Sequence, residues 1–375
     1  MYSVLSYGQM AGDGVRIDAY ARAIKQLVRP GSVVVDLGCG TGIMSLLALR
    51  AGARRVHAVD MDPAVWLARD LAVENGYGEK LAVHHGSSFD LDLGDEPADV
   101  VIADLRGSFP LFRQNVATME DARRRLLKPG GILLPARDRL FVAVVEAPGH
   151  RRELEEGWSP IERQGFKASA ARSATLNCVY SDDYSAVRAN DLLSEAKPWS
   201  EIVYGEPFTR SFGATVDLAI TRGGVAHALA LWFEATVHDG IVYSNAPGHQ
   251  LVYKRTMLPL LQPVRAEVGD RARLTLRTDV GGDQWAWDAE IGAHARTRQA
   301  SFLGFPASPQ SLLRESLAGT PTKSPAGERA ARLLAMMDGK QTILELVDSL
   351  AAADPSVRRD GIVEEVKSCV RRYAS

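Results

Sequence analysis

Ten residues constrain this chain more than any others: Val33-Val34-Val35-Asp36-Leu37-Gly38-Cys39-Gly40-Thr41-Gly42. Three consecutive β-branched residues suit a strand buried on both faces. An acid and three alternating glycines follow, and the apolar run from Ile43 to Leu49 predicts a helix. Glycine at every second position lets a bound molecule lie against the backbone, where a side chain would block it. A carboxylate at Asp36, beside that loop, would repel a pyrophosphate and suits a cationic ligand.

A dinucleotide fingerprint reads G-x-G-x-x-G, whereas the glycines at 38, 40 and 42 make G-x-G-x-G, so the third comes one residue early. About twenty residues on, Val56-His57-Ala58-Val59-Asp60 reads as a second strand ending in an acid, which can accept both hydroxyls of a ribose. S-adenosylmethionine, with its sulfonium and α-ammonium, fits both acids, and it is the cofactor expected here. The competing reading is an ordinary strand-turn-helix with a chance run of glycines.

The chain has 375 residues, enough for two or three domains. A formal charge of −2 with basic residues scattered argues against a nucleic-acid partner. Three dispersed cysteines make neither a disulfide framework nor a metal site, and no metal is expected. His84 and His85 at a strand end read as exposed rather than ligating. Neither a signal peptide nor a membrane span is apparent, so a cytoplasmic location is expected.

Residues 1–135 alternate strand and helix, with strands expected at 33–37, 56–60, 81–85, 99–104 and 131–135 and helices at 15–27, 64–75 and 115–127. That alternation predicts a doubly wound α/β sheet. Residues 136–305 carry short apolar runs at 140–145, 215–220, 228–237, 273–278 and 285–291 separated by turn residues. They predict an all-β barrel or sandwich, interrupted near 165–192 by a helical insert or a plain surface excursion. Trp285 and Trp287, alternating on a strand, read as barrel packing. A linker rich in proline spans 306–325. A small helical module follows over 326–375, with Leu333, Leu334, Met336 and Met337 on one apolar face and Ile343, Leu346, Val347 and Leu350 on the next helix.

With these residues in view, the first ~300 positions resemble the protein arginine methyltransferases. The resemblance rests on Met10-Ala11-Gly12-Asp13-Gly14-Val15-Arg16 with Tyr20, on Gly52-Ala53-Arg54-Arg55-Val56 before Asp60, and on Leu126-Leu127-Lys128-Pro129-Gly130-Gly131 with Leu134-Pro135. It implies an N-terminal helix covering the cofactor, Arg16 holding the cofactor carboxylate, and a homodimer formed through the inserted arm. The cofactor set expected is Arg16, Asp36, Gly38, Gly40, Gly42, Asp60, Met61 and Ser88.

The resemblance also implies an acceptor loop on which two glutamates clamp a guanidinium. At the matching positions stand Asp104 and Arg113, with Arg106 between them. Two cations about 4 Å apart repel by roughly 4 kcal/mol at an effective dielectric near 20. Arg113 can point into the pocket, pair with Asp104 or swing outward. Asp104 is expected to position the acceptor, the alternative being a purely structural acid at a strand end. Met10, Arg106 and Arg113 are assigned to the substrate side. Gly248-His249-Gln250 resembles the family's Thr-His-Trp loop, which implies a proton-handling pair of His249 with Asp13, or else a polar loop histidine.

The module at 326–375 resembles the small winged-helix peptide-recognition proteins of the coenzyme PQQ synthesis D type, through Glu328–Leu334 and Met337–Ile343. That implies a precursor-peptide leader as partner, the alternative being a helical cap or oligomerisation element. The expected activity is methyl transfer from S-adenosylmethionine to a nitrogen of a peptide or peptide-like acceptor in a tailoring role. Free arginine or another small molecule, and a catalytically silent scaffold, are the alternatives.

Overall fold

The computed structural model describes residues 3–107, 109–111, 113–181, 187–208, 211–279, 281–282, 284–293, 295–304, 320–353 and 357–374. The chain divides into two compact units, Met1–Pro306 and Ala307–Ser375.

The first unit opens with two helices, α1 (Val4–Ala11) and α2 (Gly14–Leu27). Asp13 caps α2 by accepting from the Arg16 amide. The sequence reading had α2 alone. Helix α1 was missed because it is short, carries Gly8 in its middle and buries none of its residues fully. Strands β1 (Val33–Leu37), β2 (Arg55–Asp60), β3 (Leu81–His85), β4 (Ala98–Ala103) and β5 (Leu127–Leu134) form a parallel sheet in the order β3-β2-β1-β4-β5. Helices α3 (Ile43–Arg50), α4 (Val65–Glu74) and α5 (Asn115–Asp121) cross between them. β1 is buried along its whole length, as its valines require.

The expected helix over 115–127 stops early. A π turn occupies Ala122–Leu126, and β5 begins at Leu127. Its register jumps from Ala98↔Leu127 to Val100↔Ile132, so Lys128-Pro129-Gly130-Gly131 bulges out of the ladder instead of merely preceding the strand.

Two antiparallel sheets follow, and they place the rest of the site. One contains β6 (Arg137–Val145), β7 (Tyr180–Ser181), β8 (Lys197–Val203), β10 (Gly224–His238), β11 (Ile241–Ser244) and β12 (Thr256–Ala266). The other runs β15 (Ala295–Ala300), β14 (Trp285–Ile291), β13 (Arg271–Asp279), β9 (Ser211–Ala219). Strand β12 escaped the sequence reading because Pro259 and Pro263 argue against a strand interior. The helical insert begins earlier than expected, as α6 (Pro148–Glu156), α7 (Ser159–Arg163) and α8 (Ser169–Leu176), between β6 and β7. Trp285 and Trp287 are buried, and their indole nitrogens donate to Gly282 O and Pro259 O at 3.0 and 3.1 Å.

In the second unit, helices Pro325–Met336, Ile343–Ala353 and Arg359–Tyr373 enclose Leu333, Leu346, Val347, Leu350, Ile362, Val366 and Cys369. Leu334 and Ile343, placed on the apolar faces by the sequence, are exposed instead. Most of the expected linker lies outside the described residues.

The glycine loop shows how tightly the sheet edge is built. Gly42 has φ 81°, and a Cβ there would stand 2.6 Å from Ala68 Cβ on α4. Gly42→Ala is therefore expected to destabilise the fold by about 2–4 kcal/mol, adding overpacking to left-handed strain. Gly94→Ala, with φ 57° and open space around the new methyl, should cost only the strain. Urea unfolding of the two variants measures the difference.

Candidate active site

In an open parallel sheet, ligands bind beyond the carboxyl ends of the strands where the strand order reverses, here between β1 and β4. Asp36 lies near the end of β1, the glycine loop follows it, and Asp104 is the first residue after β4.

The missing side chains of the loop glycines let neighbouring residues pack directly on its backbone. Gly38 and Gly40 have φ 67° and 54°. A Cβ on Gly38 would meet Leu105 Cδ2 at 2.2 Å, and one on Gly40 would meet Tyr7 Cε1 of α1 at 2.7 Å. The Gly40 amide donates to Asp60 Oδ2 at 2.7 Å, and the Asp62 amide to Asp60 Oδ1 at 2.8 Å. Each Asp60 oxygen keeps a lone pair for a hydroxyl. Asp36 is buried and accepts from Ser45 Oγ on α3 at 2.6 Å. Burial pushes its carboxyl up to about 7, the Ser45 bonds pull it down, and the negative charges of Asp60 and Asp104 raise it again. A buried acid poised in that range is stabilised in its charged form by an arriving cation.

Met61 stands exposed just past β2, and Ser88 lies half-buried in the turn after β3, where its carbonyl accepts from Arg125 Nη2 at 3.0 Å. His85 is exposed, whereas His84 lies half-buried with its Nε2 3.0 Å from His57 Nδ1. No group of three or more metal-ligating side chains occurs among the described residues.

Around Asp104 the charges interlock. Arg16 donates through Nη1 to Asp104 Oδ2 and through Nη2 to Met10 O. Its Nε is buried without a hydrogen-bond partner, 3.7 Å from Asp13 Oδ2. Arg106 Nη1 reaches Asp104 Oδ1 at 2.7 Å, and the Tyr253 hydroxyl donates to the same oxygen. Burial alone would raise the Asp104 carboxyl. The charges of Arg16 and Arg106 and the bonds from Tyr253 and Arg16 outweigh it, so Asp104 titrates below the usual carboxylate range.

Arg106 was expected to face the substrate. It is instead only 1 % exposed and reaches the barrel. Its Nε and Nη2 grip Asp138 on β6 at 2.8 and 3.0 Å, and its Nη1 lies 3.1 and 3.0 Å from the hydroxyls of Tyr20 and Tyr243. The guanidinium lies over the Phe233 ring at 5.3 Å. Tyr204 donates to Asp138 Oδ2 at 2.6 Å and accepts from Asn115 Nδ2 at 3.0 Å. The strand phase carried a signal for Asp138, which shares a core-facing period with Leu140, Val142 and Val144. An acid on that face needs a buried partner.

Arg113 takes the outward option. It is exposed, has φ 58°, and makes no ion pair with Asp104. Its loop neighbours Ser108 and Phe112 lie outside the described residues.

The expected pair of Asp13 with His249 is not formed. His249 is exposed with Nδ1 3.0 Å from Ser244 O, while Asp13 Oδ2 accepts from the Val252 amide at 2.8 Å. The barrel loop thus meets Asp13 three residues beyond His249, and the next side chain is Tyr253. The sequence offered no sign of Tyr253, which stands between Leu251-Val252 and Lys254-Arg255.

The family profile described as ribosomal protein L11 methyltransferase (PrmA) matches residues 20–134. Protein arginine N-methyltransferase 1 of Schizosaccharomyces pombe is 27 % identical over 290 residues, covering 72 % of this chain and 80 % of that protein. Probable protein arginine N-methyltransferase 6 of Arabidopsis thaliana is 32 % identical over 198 residues, 52 % of this chain but only 44 % of that protein. Among solved structures, the Trypanosoma brucei PRMT1 enzyme–prozyme heterotetrameric complex with AdoHcy superposes with a TM-score of 0.69 at 22 % identity, over 78 % of this chain and 97 % of that one. Arabidopsis thaliana protein arginine methyltransferase 10 gives 0.69 at 20 % identity, over 80 % and 98 %. The chain is thus similar to the arginine methyltransferases and has the fold and cofactor class of the S-adenosylmethionine-dependent methyltransferases.

Breaking a buried pair by deleting one partner costs about 3–5 kcal/mol, because it strands a charge. Arg106→Met is expected to lose that much, and adding Asp138→Leu should restore part of it. Thermal and urea unfolding of the single and double variants test this.

Proposed function

We propose that this protein transfers the methyl group of S-adenosylmethionine to a nitrogen of a protein or peptide, with Asp104 orienting the acceptor. The observation that carries the reading is the placement of one buried, ionised carboxylate directly after β4, beside the glycine loop at the reversal of strand order. Arginine is the acceptor that the relatives' names suggest, and a tailoring role on a peptide is the finer form of the proposal.

The residues present fit the cofactor. Asp60 offers acceptors for ribose hydroxyls, and Arg16 has a buried nitrogen without a partner for a carboxylate. When bound, the cofactor supplies an electrophilic methyl on a cationic sulfur. The protein's part is alignment, since holding donor and acceptor in register removes much of the entropic barrier. Asp36 balances the cofactor's positive charge from below the loop. Asp104, held ionised by Arg16 and Arg106, directs an N–H of the acceptor and so turns the nitrogen lone pair toward the methyl. With His249 turned to Ser244 O, the proton released after transfer leaves through Asp104 or solvent.

A homodimer through the helical insert belongs to the same proposal, supported by the exposed Ile161 and Phe166 on that insert. Recognition of a precursor-peptide leader by the second unit is likewise proposed, supported by the exposed Leu334, Ile343 and Leu344 of its helices.

Labelled methyl transfer to arginine- and lysine-bearing peptides tests the activity. Asp104→Asn should lower transfer about a hundredfold while leaving cofactor affinity within about twofold, the loss being confined to acceptor positioning. No transfer to any peptide by the native chain would sink the proposal. A second expectation concerns pH. Asp36 titrates at about 7 in the free protein, and a bound cation favours its charged form. Affinity for S-adenosylmethionine should therefore rise as pH increases through 7 and level off above it, with proton release below. Asp36→Asn should flatten that dependence in calorimetric titrations.

A further inference from the structure

The second oxygen pattern on Asp104 narrows the acceptor. An ionised carboxylate oxygen has two lone-pair positions. On Oδ1 both are engaged, one by Arg106 Nη1 at 2.7 Å and one by the Tyr253 hydroxyl. Neither donor is free to leave. Arg106 is buried and gripped at its other edge by Asp138 through two bonds. Tyr253 is buried with its ring edge-on to Phe233 at 5.4 Å. Among the described residues, Oδ2 carries only Arg16. Were Arg16 to turn toward a cofactor carboxylate, Oδ2 would open further and Oδ1 would stay filled.

A guanidinium binds a carboxylate best as a fork, with two parallel N–H bonds, one to each oxygen. We infer that Tyr253 and Arg106 determine acceptor choice: Asp104 meets the acceptor through a single N–H at Oδ2, so the site favours an amine-type nitrogen over a forked guanidinium. This rests on the methyltransferase reading above. The neighbouring acids offer no substitute arm. Asp13 is engaged by the Val252 and Arg16 amides, and the position matching the second glutamate of the resembled family is the exposed Arg113. Tyr253 acts through Asp104 and is a positioning residue.

The test uses the full chain saturated with S-adenosylhomocysteine, titrated with methylammonium and with methylguanidinium and read by ligand-observed NMR. The native protein should bind methylammonium at least as tightly as methylguanidinium. Tyr253→Phe frees one position on Oδ1 and should tighten methylguanidinium about tenfold, the worth of one charge-assisted bond, while moving methylammonium less than about twofold. Because the two probes are compared within one protein, partial misfolding changes both affinities together and leaves their ratio. Asp104→Asn should abolish both. A native preference for methylguanidinium, a Tyr253→Phe variant that shifts both probes equally or neither, or no binding of either probe to the loaded protein overturns the inference. Failure of the chain to load with S-adenosylhomocysteine overturns the functional reading itself and is seen separately.

Discussion

Arg106 is the residue on which the arrangement depends. A guanidinium at 1 % exposure is tolerable only with its charge matched and its donors satisfied. Asp138 supplies a bidentate partner from the barrel, Asp104 a second carboxylate from the sheet, and Tyr20 and Tyr243 neutral acceptors between them. One side chain therefore pins the loop after β4 to β6 and β11, and fixes Asp104 at the sheet's carboxyl edge. The cation over Phe233 and the Tyr204–Asn115 extension widen the same network. Such a network is costly to leave half-satisfied, which makes its geometry rigid.

The two acids at the sheet's carboxyl edge are charged differently as a result. At the glycine loop, Asp36 sits buried with one hydroxyl donor, so its proton is held up to about pH 7. Asp104, directly after β4, lies less deep, faces two guanidinium groups and stays ionised. Two acids of the same sheet edge are thus held in different charge states by their neighbours.

The sheet was legible because it is written locally: β-branched runs buried on both faces, glycines where φ is positive, and acids at strand ends. Strands at 33–37 and 81–85 were placed to the residue. The site was less so, since its decisive contacts span long stretches of sequence. Asp104 could be found by its place after a strand. Arg106 could not be told from a surface cation without knowing that Asp138 faces it from a strand that starts at residue 137. The histidine misled because matching by local motif took His249, whereas the chain folds so that Val252 and Tyr253 occupy the place opposite Asp13 and Asp104. In the second unit, apolar periodicity identified the helices, but which leucines face inward depends on the packing of three short helices, and Leu334 and Ile343 fell outside.

The central claim is that the glycine loop holds the cofactor with its reactive end turned toward Asp104. A crystal structure of the full chain with S-adenosylhomocysteine tests it most directly. The account predicts the ribose hydroxyls on Asp60, the backbone of Gly38 and Gly40 against the ligand, and the sulfur facing the Asp104 side of the cleft. A ligand bound away from that loop, or one whose sulfur faces away from Asp104, would contradict it.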